Sequence, residues 1–467
     1  MRALYIHPGM NGRSSMYAIM PMGAVALVNL LRERGWSVCG VNAAMERSLS
    51  SSFDLARFLA SLPRQDLVLI DLHWYMHTAG AFEAASLART LWEDSIVVVG
   101  GMTASIFAED VLRLCPSIDV VIRGDAEDAV LQLAELACHG DRDFARIPNA
   151  VYWNDNTICR SPRLAATSPT LFNELDFVTI DWLHNWQAYY KTGISGYSPM
   201  QKSRYWLETA RGCFYNCIMC GGGQSVHENL CGLRRPLFRD VGRILSDIER
   251  LYELGVEQVA FSHDIFTLPF PGREDLLRGL LARGLKVGLY HEFWRLTATF
   301  VISQLHTVFD AERSDIAISP ESGCEVVRKR NFPSKFFKNE ELLELLRTLS
   351  KATFELQVFF AANLPWETET TWQETLRLTR DIVSVYGCDR LTLYAGFITI
   401  DPMSPMWLNP DTYNIHRYFS GLSDYWRMTN EGVRRPGYES EELTIAGVRR
   451  NLERFREVAI SMRKAQV

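Results

Sequence analysis

The sequence has no apolar run approaching the ~18 residues that a bilayer-spanning helix needs, so no membrane span is expected. It has no excess of positive charge either. The formal net charge of -6 offers no broad basic face, and nucleic acid is not an expected partner. No repeat or low-complexity tract appears, and 47% hydrophobic with 22% charged residues describe an ordinary globular chain. Paired cysteine spacing is absent from seven of the ten cysteines (Cys39, Cys115, Cys138, Cys159, Cys231, Cys324, Cys388), whose expected role is packing rather than disulfide formation. The opening, Met1 to Pro8, reads as a short strand ending at proline without a signal peptide's long apolar core, so a cytoplasmic location is expected. At 467 residues there is room for two or three domains.

The other three cysteines sit close together. Cys213, Cys217 and Cys220 follow an apolar run (Tyr205-Trp206-Leu207), come after Gly212, and precede Gly221-Gly222-Gly223. Soft thiolates converging in one short loop select an iron–sulfur cluster or zinc. Three ligands are one fewer than a closed zinc site requires, so zinc would recruit His227 or Cys231, whereas a cluster would keep one iron open for chemistry. The alternative is a buried helical stripe at i, i+4, i+7, which the flanking glycines disfavour.

Residues 1 to about 140 alternate strand-like and helix-like segments and predict a doubly wound α/β, Rossmann-like domain. Ala3 to Ile6, Trp36 to Val41, Leu67 to Leu72, Ile96 to Gly101 and Val120 to Asp125 read as strands, with helices over Gly23 to Gly35 and Ala81 to Trp92. In such sheets the loops after the strands gather on one rim, here His7 to Met22, His73 to Gly80, Gly100 to Ser105 and Gly124 to Glu127. A nucleotide is the usual guest, but no G-x-G-x-x-G opens the first helix. Residues 141–204 read as a linker holding a β-hairpin, Ala150 to Trp153 and Thr157 to Arg160.

From 205 to 404 the alternation returns. Strands at Tyr205 to Thr209, Val256 to His263, Leu285 to His291, Asp315 to Ser319, Glu355 to Ala361 and Leu391 to Ile398 predict a partial (β/α)6 barrel. Polar clusters close three of them: Ser262-His263-Asp264, Ser319-Pro320-Glu321-Ser322-Gly323 and Asn363 to Thr368. Any one would serve as a helix cap, but their shared position after successive strands favours an active site. The stretch 405–467 reads as a mostly helical, aromatic-rich extension (Trp407, Tyr413, Tyr418, Phe419, Tyr425, Trp426) able to build a core or to cap the barrel mouth, and it ends in a charged helix from Glu441 to Lys464.

The C-x-x-x-C-x-x-C loop at a strand end resembles the radical S-adenosylmethionine (SAM) enzymes, and the domain ahead of it resembles the cobalamin-binding domain of one large subclass of them. The resemblance implies that Cys213, Cys217 and Cys220 hold a [4Fe–4S] cluster whose free iron takes the amino and carboxylate groups of SAM. It implies SAM contacts from Ser262, His263, Asp264, Ser319, Glu321 and Asn363. Both glycines of the family's G-L-P-G-E-T loop are replaced, by Asn363 and Trp366, which leaves that loop's path open. For cobalamin it implies Met22, Gly23, Gly100, Gly101, Gly124, Glu127 and the third-strand loop His73, Trp74, Tyr75, Met76, His77. His7-Pro8-Gly9-Met10-Asn11-Gly12 does not match the D-x-H-x-x-G motif that puts a histidine on cobalt, so Trp74, Tyr75, Met76 or His77 is the expected lower neighbour. Lone loop histidines such as His73 and His77 also serve simply as hydrogen-bonding residues.

The implied activity is transfer of a methyl group from SAM, by way of methylcobalamin, to an unactivated carbon of a small molecule or peptide. An electron donor such as flavodoxin or ferredoxin is the implied partner. A family variant methylates tryptophan during thiostrepton assembly without the usual hydrogen abstraction. Other readings are a cyclase or rearrangement enzyme with the same cofactors, and a zinc-stabilised cobalamin sensor or carrier.

Overall fold

The computed structural model describes residues 1–9, 18–191 and 202–465, with side chains as far as 462. The middle of the first expected rim loop, 10–17, lies outside the described residues. Among the described residues no helix is long and apolar enough to cross a membrane. The chain divides into two compact units, the first holding Met1–Gln201, Gln224–Arg239 and Phe419–Arg435, the second Lys202–Gly223, Asp240–Tyr418 and Pro436–Val467.

The first unit is built on a seven-stranded sheet in the order β2-β1-β3-β4-β5-β6-β7. Its strands are β1 (Arg2–His7), β2 (Ser37–Asn42), β3 (Leu67–Asp71), β4 (Ile96–Gly100), β5 (Val120–Ile122), β6 (Ala150–Asn154) and β7 (Thr157–Arg160). The first five are parallel, with Leu4 opposite both Cys39 and Val68, and Val98 opposite Val120. β3 is buried throughout, as a strand covered on both faces must be, which explains its unbroken apolar run. The strand order reverses direction between β1 and β3, and the carboxyl ends flanking such a switch form a natural crevice.

The expected linker is part of this sheet. β6 and β7 add to β5 in antiparallel fashion, and the segment that follows buries Phe172, Phe177, Trp182, Tyr189 and Tyr190. Asn29 in helix Met22–Glu33 fixes that segment by donating to the carbonyls of Asp176 (3.0 Å) and Thr179 (2.9 Å). The aromatic extension is likewise divided. Tyr425, in helix Leu422–Glu431, is fully buried against Tyr75, Phe107 and Phe419 in the first unit, so it forms core rather than a barrel cap. The rest includes an antiparallel strand pair, Ile415–Arg417 with Tyr438–Ser440, and the final helix Ile445–Ala465 in the second unit.

The second unit holds six parallel strands: β8 (Arg204–Leu207), β9 (Gln258–Phe261), β10 (Gly288–Phe293), β11 (Asp315–Glu321), β12 (Glu355–Ala361) and β13 (Leu391–Gly396). Each pairs with its predecessor, leaving β8 and β13 as edges of an open, partial barrel. Amphipathic helices such as Val241–Glu253 and Asn339–Lys351 cover the sheet through Ile244, Leu245, Ile248 and Leu251 in one and Leu342, Leu345, Leu346 and Leu349 in the other. At the amino-terminal ends, buried Asp315 accepts from Lys202 (2.8 Å) and Arg204 (2.6 Å), and the Arg204 guanidinium lies 3.7 Å from the Tyr290 ring centre. At the carboxyl ends, buried Glu367 joins two successive loops by accepting from Ser322 Oγ (2.8 Å) and Thr371 Oγ1 (2.5 Å).

Two outcomes follow from these buried carboxylates. Removing Asp315 leaves two buried cations uncompensated, so Asp315→Ala should lose about 3–5 kcal/mol in urea denaturation. Burial pushes the Glu367 carboxyl up to about 7, above the ~4.3 of a free glutamate, despite the hydrogen bonds from Thr371 and Ser322. Its contribution is therefore fully present below pH ~4.3 and is lost as pH rises through 7. Between pH 5 and 8 the wild-type protein should lose roughly 1–3 kcal/mol on this account. Glu367→Gln should flatten that slope, and identical slopes in both proteins would refute the assignment.

Candidate functional site

The cysteine loop leaves β8 through Thr209 and Gly212, whose φ of +94° is left-handed. Cys213, Cys217 and Cys220 are all half-buried and unbridged. Main-chain N–H groups approach two of the sulfurs, Tyr215 N to Cys213 Sγ (3.4 Å) and Gly222 N to Cys220 Sγ (3.3 Å). Burial raises both thiols, Cys220 to about 12 with Asp401 adding to the effect, so loading a metal there must release protons. Three thiols in a short loop, with amide donors aimed at them, are a donor set that fits an iron–sulfur cluster. The glycines fit by contact: a Cβ on Gly221 would lie 2.2 Å from Pro402 O, and one on Gly223 2.8 Å from Asn216 Oδ1. The 401–402 main chain therefore sits directly on the loop, and Gly221 N donates to Asp401 Oδ2 (3.1 Å). The possible zinc ligands His227 and Cys231 fall in the first unit, where Cys231 Sγ lies 3.2 Å from a Cβ position on Gly124.

The polar clusters after the next strands divide into positioning groups and open ones. Ser262 Oγ accepts from Thr209 N (3.0 Å), and His263 bonds the Gly212 carbonyl, so this pair fixes the entry to the cysteine loop. Asp264 is buried, and its oxygens accept from His291 Nε2 (2.9 Å), Trp294 N (2.7 Å), Thr267 N (3.0 Å), Phe266 N (3.2 Å) and the Thr267 hydroxyl. A carboxylate so engaged by its own chain organises the loop rather than reaching outward. Asn363 is occupied too, exchanging hydrogen bonds of 2.8 Å with Ile398 O and N. Trp366 stands at φ +64°, so the loop keeps the left-handed turn that a glycine would supply.

Ser319 is exposed and Glu321 half-buried at φ +63°; burial pushes the Glu321 carboxyl up to about 7, with Lys335 opposing and Glu292 adding. Sequence reasoning missed Lys335 and Trp294. The Lys335 ammonium lies 4.6 Å from the Tyr215 ring centre and 5.0 Å from that of Trp294, which is itself 5.4 Å from His263. The strand faces add Trp206, Tyr290, Glu292 and the stacked pair Phe359–Tyr394, at 4.8 Å. Inward alternation along the strands was the available signal for these.

In the first unit, Gly23, His73, Trp74, Tyr75 and Gly100 are half-buried, while Met22, Met76 and His77 are buried. Gly101 (φ +104°) has His73 main chain 2.8 Å from a Cβ position, and Gly124 (φ +68°) has Leu230 O at 2.6 Å. Both glycines are therefore required by close backbone approach within the unit. Glu127 is buried and accepts from Thr167 Oγ1 (2.5 Å). Burial depresses His73 to about 4 and His77 to about 3, keeping both neutral at pH 7. Below them, Asp71 accepts from Tyr5 OH (2.6 Å) and His7 Nδ1 (3.0 Å); burial disfavours its charge, but His7, His77 and Tyr5 together hold its carboxyl below the usual range. Neither His7 nor Asp71 stood out as a site residue in the sequence, although each is a polar residue closing an apolar strand.

A family model described as "B12 binding domain" matches residues 11–134. An uncharacterized methyltransferase of Pyrococcus horikoshii is 23% identical over 314 residues, 65% of this chain and 61% of the relative. The anaerobic magnesium-protoporphyrin IX monomethyl ester cyclase of Cereibacter sphaeroides is 24% identical over 394 residues, 82% of this chain and 60% of the relative. The chain thus spans about three fifths of these curated relatives. Among solved structures, the radical SAM methyltransferase TsrM of Kitasatospora setae, with cobalamin and a [4Fe–4S] cluster bound, superposes with a TM-score of 0.71 at 14% identity, covering 99% of this chain and 88% of TsrM. Residues 11–134 thus match a B12 binding domain, and the chain as a whole shares its fold with TsrM.

Proposed function

We propose that this protein is a cobalamin-dependent radical SAM methyltransferase acting on an unactivated carbon of a small molecule or peptide. The observation that carries this is the amide-supported trio Cys213, Cys217 and Cys220 on a parallel βα sheet, in a chain that also matches a B12 binding domain. When bound, the cluster supplies the reducing electron for SAM and cobalamin supplies the methyl carrier.

The chain's own residues hold and orient. Cys213, Cys217 and Cys220 are the cluster ligands, and Ser262 with His263 fixes their loop. Ser319 and Glu321 offer polar groups to SAM, while Glu292, Trp206, Phe359 and Tyr394 offer one carboxylate and flat apolar walls to the substrate. Gly23, Gly100, His73, Trp74 and Tyr75 form the open part of the rim proposed for the corrin. A flavodoxin or ferredoxin is the proposed electron donor. Fixing reactants in this way is a proximity effect that supplies up to about 7–11 kcal/mol of a barrier.

The similarity to the cyclase favours one second reading, ring closure with the same cofactors and no methyl transferred. Anaerobically reconstituted protein given CD3-labelled SAM and candidate substrates separates the two. Methyl transfer predicts a product heavier by a labelled methyl group, whereas 5′-deoxyadenosine without labelled product supports cyclisation. Cys217→Ala should lose nearly all cluster iron and sulfide while keeping its circular dichroism spectrum; full iron in that variant would remove the basis of the proposal. A zinc-to-protein ratio near one without iron in the wild type would favour a sensor or carrier instead.

A further inference from the structure

Outside the cysteine loop, the described residues contain one group of nitrogen and oxygen donors gathered tightly enough for a single ion. His7, Asp71 and His77 each offer a ligand atom, and these atoms lie within 4.8 Å of one another. The three residues are 0%, 5% and 0% exposed. They come from the carboxyl end of β1, the carboxyl end of β3 and the 3-10 turn Tyr75–His77, on either side of the point where the strand order reverses.

A structural hydrogen bond accounts for only part of this. Asp71 Oδ1 takes both donors, Tyr5 OH at 2.6 Å and His7 Nδ1 at 3.0 Å, while Oδ2 is buried and has no hydrogen-bond partner. A buried carboxylate oxygen without a donor is unfavourable, and cores avoid it. A cation satisfies that lone pair. A carboxylate bonded to an imidazole is also the usual support of a metal-ligating histidine, since it fixes the ring's orientation and raises its basicity. Trp74 packs edge-on to both imidazoles, 6.3 Å from His7 and 5.7 Å from His77 between ring centres, and holds the group together.

We infer that His7, Asp71 and His77 form a mononuclear site for a divalent transition-metal ion. Two imidazoles and one carboxylate suit zinc, iron(II) or cobalt(II) better than the hard ions calcium and magnesium. The set differs in kind from the thiolate cradle and does not depend on the proposed methyl transfer.

The test uses the full-length chain with Cys213, Cys217 and Cys220 changed to serine, so that the cluster ligands take up no metal. Zinc titrated calorimetrically into this protein should bind at one equivalent and raise the thermal midpoint. His77→Gln and Asp71→Asn, added singly to the same background, should each weaken that binding at least tenfold. Cobalt(II) bound to the parent protein gives a readout that needs no further variant: visible ligand-field bands without thiolate-to-cobalt charge transfer. No zinc uptake, affinity unchanged in both variants, or a spectrum carrying thiolate bands would each overturn the assignment.

Discussion

A parallel strand reaches its neighbour only by carrying the chain back over the sheet, and in both units that rule dictates where chemistry can occur. Every crossover leaves from a carboxyl end, so the loops of five strands in one sheet and six in the other collect along single edges. The apolar strands below them are rigid and covered. The loops above them are free to carry cysteines, carboxylates and imidazoles whose cost in a core would be prohibitive. The two edges differ in the chemistry they gather: soft sulfur on β8, and imidazole with carboxylate on β1 and β3.

Many polar residues on these edges act on other residues. Asp264 accepts five hydrogen bonds from its own chain, Asn363 exchanges two with Ile398, and Glu367 links the loops after β11 and β12. A loop that must present three thiols to one object needs such internal bracing, because flexible ligands would surrender binding energy to ordering. Among the described residues, Ser319, Glu321, Glu292 and the cation–aromatic group around Lys335 are less enclosed than these braced groups.

How much was legible in the sequence depended on whether the signal was local. The runs Leu67–Asp71 and Ile96–Gly100, the cysteine spacing and six successive βα repeats declared themselves within short windows. Partner choice did not. Tyr425 announces burial by being aromatic, but nothing nearby in the chain says that it packs on Tyr75 and Phe107. The same holds for Asn29 reaching the carbonyls of Asp176 and Thr179, for β6 joining the first sheet, and for His7 meeting Asp71 across 64 positions. Replacement of glycine by Trp366 left the loop's path open in the sequence, and the backbone there takes the left-handed φ +64°. There the packing of Trp366 against Tyr413 and Arg330 outweighs the residue's intrinsic preference.

The interleaving of the two units has a consequence for biogenesis. The first unit takes its last segment from Phe419–Arg435, and the second takes its own from Pro436–Val467. On a ribosome, the amino-terminal sheet emerges long before helix Leu422–Glu431, whose Tyr425 packs on Tyr75, so it waits with an aromatic face uncovered while more than 250 intervening residues are made. Neither unit is one uninterrupted stretch of polypeptide, and no single cut in the gene delivers both cores whole on separate fragments.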